Sequence, residues 1–67
     1  MERKKLREIK KHEFFRLVDS ETAPVWVKTG GRIRREGMTK YEAEKVEDAN
    51  HTNFFGGDKI VYVGFTY

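Results

Sequence analysis

Ile60-Val61-Tyr62-Val63-Gly64-Phe65-Thr66-Tyr67, which follows a Gly56-Gly57-Asp58-Lys59 turn, is the stretch that decides the fold class. β-Branched and aromatic residues fit a pleated, half-buried surface, and a terminal segment of this composition is held by a sheet rather than left to fray. It reads as a strand that closes the core. Alternation puts Val61, Val63, Phe65 and Tyr67 on one face and Ile60, Tyr62, Gly64 and Thr66 on the other. Both faces are largely apolar, so the strand needs a cover as well as a core. Either the N-terminal arm supplies it through Leu6 and Ile9, or another chain does so by strand addition.

Working outward, the 67 residues make one domain with a small core, since a chain of this length buries only about 60% of its unfolded surface. There is no cysteine, hence no disulfide and no Cys-based zinc site to staple it. Packing falls to nine aromatic side chains: Phe14, Phe15, Trp26, Tyr41, Phe54, Phe55, Tyr62, Phe65 and Tyr67. The 37% of charged residues argues against a membrane span, and residues 1–11 lack the apolar run of a secretory signal. The sequence reads as a cytoplasmic protein of bacterial or viral origin.

The arm, residues 1–11, is basic; Leu6 and Ile9, three apart, fit one side of a single helical turn that docks on the body. Residues 12–67 form the β domain. Glu13–Val18 alternates as a first strand, with Phe15 and Leu17 on one face. Pro24, which has no N–H for a ladder, opens a second strand, Val25–Thr29. Gly30-Gly31 bends or bulges the chain before Arg32–Arg35 continues extended, and Glu36–Thr39 turns. Lys40–Val46 follows, with Tyr41 and Ala43 facing one way and Glu42 and Glu44 the other. Its composition also suits a helix, but its place between turns favours a strand. Asp48–Asp58 reads as a polar loop carrying Phe54 and Phe55. Five short strands then imply a mainly β protein: a small SH3-like barrel, alternatively an OB-like one, or a strongly bent antiparallel sheet.

Glu13-Phe14-Phe15-Arg16-Leu17, Val25-Trp26-Val27, Lys40-Tyr41, Asp48-Ala49-Asn50-His51 and Val61–Thr66 together resemble a group of small uncharacterised β-rich bacterial proteins. The resemblance covers most of the chain after the arm. Glycine stands in that group where this chain has His12, and the hairpin matching Arg34–Thr39 is shorter. The resemblance implies a compact β domain and no particular activity.

No catalytic, cofactor or metal motif emerges. His12 and His51 are the only histidines and lack ligand spacing; Asp48, Asn50 and Thr52 imitate the start of a calcium loop, but Asn53 and Lys59 break the pattern. Ser20 sits in a turn, and the paired glycines lack the spacing of phosphate cradles. Two features remain. One is charge: residues 1–11 carry six basic and two acidic side chains, a net +4, whereas residues 12–67 carry eight basic and nine acidic, a net −1. Arg3, Lys4, Lys5, Arg7, Lys10 and Lys11 of the arm, with Lys28, Arg32, Arg34 and Arg35, are the candidate nucleic-acid contacts, and Trp26 or Tyr41 the stacking surface. The acidic run Glu42, Glu44, Glu47 and Asp48 opposes this if it lies across the sheet from them. The other is the closing strand, whose candidate protein contacts are Trp26, Tyr62, Phe65 and Tyr67. A non-enzymatic module acting by protein contact or as a homodimer ranks first, nucleic-acid binding second and an enzyme third.

Overall fold

The structure, a computed structural model, describes residues 1–66 apart from the side chain of Ala49. Tyr67, expected on the inner face of the closing strand, lies outside the described residues.

The protein is mainly β and curled like a half-barrel. Strands β2 (Phe14–Phe15), β3 (Trp26–Arg35), β4 (Met38–Lys45) and β5 (Asp48–Gly56) form a four-stranded antiparallel sheet in that order, and β1 (Glu2–Lys5) pairs with β6 (Ile60–Val63) in a second. Arg16 and Tyr62 join the sheets by exchanging backbone hydrogen bonds of 2.9 and 2.8 Å, so β6 runs between β1 and the residue that follows β2. A 3₁₀ turn, Leu6–Glu8, closes the other end. There the Leu6 N–H donates to the Lys59 carbonyl (2.9 Å), the Arg7 N–H to that of Gly57 (3.0 Å), and the Gly57 N–H to that of Thr39 (3.3 Å).

The arm therefore covers the closing strand by becoming its neighbour, from Glu2 opposite Val63 to Lys5 opposite Ile60. Leu6 and Ile9 continue into the core, which gathers Leu6, Ile9, Phe15, Trp26, Ala43, Val61 and Val63, with Leu17, Tyr41 and Phe55 against it. Burial of each large aliphatic side chain there contributes about 1.5–3 kcal/mol. The other face of β6 is only partly covered: Tyr62, beside Arg3, is half-buried, and Ile60, beside Lys5, is exposed. The strand stops at Val63, ahead of Gly64 at φ +83°. Phe65 lies past its end, beneath the Arg16 guanidinium at 4.2 Å from the ring centroid.

The arm, expected as a single helical turn, supplies strand β1 ahead of its 3₁₀ turn, and the first strand, expected over Glu13–Val18, is confined to Phe14–Phe15. Two further expectations about the strands change. The segments Val25–Thr29 and Arg32–Arg35 belong to one bent strand, in which Lys28 pairs with Ala43 and Arg32 with Tyr41. Four steps along β3 thus oppose two along β4, a bulge of two extra residues with Gly30 at φ +100°, where a side chain is disfavoured. The second change is a correction: Asp48–Asp58 is not a loop, because Asp48–Gly56 is strand β5. Asn and Asp are poor strand formers, but pairing against β4 overrides that preference, with Tyr41 opposite Phe55 and Glu42 opposite Phe54. The polar residues are accommodated where the register breaks, between the Lys45–Asp48 and Glu44–Thr52 pairs. At that break the Asp48 Oδ1 accepts the Asn50 N–H (3.2 Å), a turn-like bond.

Candidate functional site

Alternation along β3 and β4 divides the hairpin by face. Residues directly opposite one another share a face, so the pairs Arg32–Tyr41 and Arg34–Thr39 look inward, on the side of Ala43 and the core. Ile33, Arg35, Met38 and Lys40 look outward, as do Glu42 and Glu44. The bulge at Gly30-Gly31 keeps Lys28, Arg32 and Arg34 on the inner face despite the change of register. Glu42 and Glu44 therefore lie on the face opposite Arg32 and Arg34, and share theirs with Arg35.

Two clefts flank the inner face. One, of about 380 Å³, is lined among others by Arg7, Thr39, Tyr41, Gly57, Asp58 and Lys59. The second, of about 370 Å³, is lined among others by Arg32, Arg34, Thr39 and Tyr41. Thr39 and Tyr41 are the wall they share. The β5–β6 turn approaches closely here: a Cβ at Gly57 would stand 3.0 Å from Tyr41 Cε2 and 3.3 Å from the Arg7 Cβ. Arg7 pairs with Asp58 at 2.9 Å, and Lys5 reaches the same carboxylate at 3.9 Å. These side chains are largely exposed, so the pairs contribute at most about 1 kcal/mol and remain open to exchange with another anion.

Beneath Tyr41 lies Lys28, the one buried charged residue among those described. Its Nζ donates to the carbonyls of Leu6 (3.1 Å) and Ile9 (2.7 Å) and stands 4.3 Å from the Tyr41 ring centroid. Burial pushes the ammonium below the usual lysine range, with nearby Glu13 pulling the other way. This geometry takes Lys28 out of any anion-binding surface, because its ammonium is buried and two of its three N–H donors go to the carbonyls of Leu6 and Ile9.

The other sequence-derived contacts are dispersed. Arg3 and Lys10 are exposed, away from both cleft linings, and Lys4 pairs with Glu2 at 3.5 Å. Lys11 extends along the bulge, its Cε 2.8 Å from where a Cβ of Gly30 would be. Arg35 points outward. Trp26 is not a surface residue: it is 5% exposed and meets the rings of Phe55 and His51 edge-on at 5.3 and 5.5 Å. Tyr62 and Phe65 are half-buried. Lys59 joins the inner cations without having been singled out in the sequence, since only the docking of its turn against Tyr41 brings it there. Neither histidine lines either cleft. Among the described residues no group of three or more His, Cys, Asp or Glu is placed to hold a metal ion, and no helix is long and apolar enough to cross a membrane. Comparison of the chain with protein-family models, curated proteins and solved structures returned no match.

Proposed function

We propose that this protein binds nucleic acid through the inner face of the β3–β4 hairpin. The observation that carries the reading is the grouping of Arg7, Arg32, Arg34 and Lys59 around two adjoining clefts, with Glu42 and Glu44 turned to the opposite face. Clustered cations without opposing carboxylates on the same face form a phosphate-binding surface, and clefts concentrate the field. Asp58 is the one carboxylate in the lining, and its partner Arg7 exchanges it for phosphate at little cost. The arm takes the edge of β6 that strand addition by another chain would use, which removes one ground for a protein partner, while the outer face of β6 keeps Ile60 exposed. A protein-contact role retains the exposed Ile33 and Met38 of the hairpin and Ile60 on the outer face of β6, and predicts a mass that rises with concentration.

Fluorescence anisotropy with labelled oligonucleotides tests the reading. Three or four phosphates neutralised on a single strand give a slope of log K against log salt of about −2 to −3. Absence of binding at low salt, or affinity indifferent to salt, refutes it.

A further inference from the structure

Resting on that reading, we infer that the ligand is a single strand, one base of which stacks on Tyr41 while Arg32 and Arg34 hold its phosphates. Tyr41 is the wall common to both clefts, with cations on either bank: Arg32 directly across β3, and Arg7 and Lys59 beyond Gly57. A duplex keeps its base faces inside the stack and offers this ring nothing but backbone. An unpaired base offers a π face, and such stacking tolerates any sequence.

Lys28 sharpens the assignment. With an ammonium 4.3 Å from its centroid, one face of the Tyr41 ring is occupied from beneath, and stacking is confined to the other. The negative potential of the ring is drawn toward that cation, so a guanidinium gains less by lying over the other face. Arg32, the cross-strand neighbour of Tyr41, is thereby left to phosphate rather than to the ring. The aromatic and the cations divide the ligand between them, base to Tyr41 and backbone to the arginines.

The test uses the full chain and three probes of about a dozen residues: oligo(dT), an abasic strand of the same length, and a duplex. Oligo(dT) is expected to bind at least about tenfold more tightly than either of the others at equal salt. Tyr41→Phe should retain this preference, and Tyr41→Leu, which keeps apolar bulk against the core, should abolish it. The probe comparison with the unaltered protein stands even if Tyr41→Leu fails to fold. Equal affinity for oligo(dT) and abasic strand, or tighter binding of duplex, overturns the stacking of an unpaired base on Tyr41 and leaves nucleic-acid binding intact. Failure of all three probes to bind at low salt overturns both.

Discussion

The Lys28 ammonium stands 4.3 Å from the centroid of Tyr41 while donating hydrogen bonds to the carbonyls of Leu6 and Ile9. One buried side chain on β3 thus fastens the N-terminal segment to the aromatic wall of the clefts. Fold and candidate site share this residue, which gives it measurable consequences for stability.

Lys28→Met keeps most of the stem and removes the donor. The Ile9 carbonyl then loses its side-chain partner, and an orphaned buried acceptor costs about 1–3 kcal/mol. Urea denaturation should show a loss of that size at neutral pH. Stability equal to the unaltered protein would mean that water replaces the ammonium at no cost.

The same residue makes a prediction in pH. Its folded pKa is lowered from 10.5 by burial, so in the interval between the two values the unfolded chain binds more protons than the folded one. Stability contributed by this group therefore rises with pH across that interval. Compared with Lys28→Met, the advantage of the unaltered protein should widen as pH is raised toward about 10. A narrowing advantage would show that folding strengthens the hold on the proton.

Leu6 tests whether the N-terminal segment is part of the fold. Its side chain is fully buried with Val61, Val63 and Phe15, so Leu6→Ala should cost about 2–5 kcal/mol. In a domain of this size the melting temperature should drop by about 10 °C or more. A change of a degree or two would mean that the segment is detached in solution.

The hairpin tip offers a stabilising change. Arg35 pairs with Met38, leaving Glu36 and Gly37 as a two-residue turn with φ of +51° and +78°. Left-handed backbone costs an ordinary L-residue about 1–2 kcal/mol, and asparagine tolerates it better. Glu36→Asn should raise stability by up to about 1 kcal/mol, read as a shift in the urea midpoint. A loss of stability would contradict the turn geometry.

What the sequence shows well is alternation. It separates Tyr41 and Ala43 from Glu42 and Glu44, and Phe15 from Phe14, and it marks Gly30-Gly31 as a bulge, because each of these depends on neighbours in the chain. It is weaker where pairing between distant segments decides. Asp48–Gly56 has the composition of a loop and becomes a strand because β4 offers it an edge. Glu2–Lys5 carries almost no apolar signal and becomes a strand because β6 needs a neighbour. The candidate site follows the same division. Arg32 and Arg34 are singled out in the sequence only together with Arg35, which the register turns to the other face, whereas Lys59 and the burial of Lys28 depend on how the β5–β6 turn and the 3₁₀ turn dock.

Arg34 and Arg35 are adjacent in sequence and opposite in face, which makes them the most direct test of binding through the inner surface. Arg34→Glu and Arg35→Glu change the net charge equally, so any difference between them reports position rather than total charge. Oligonucleotide affinity should be compared at about 0.15 M salt, where exposed charges beyond about 8 Å are largely screened. Arg34→Glu should weaken binding by about tenfold or more and Arg35→Glu by no more than about threefold. Equal losses from the two substitutions, or a larger loss from Arg35→Glu, would contradict the account.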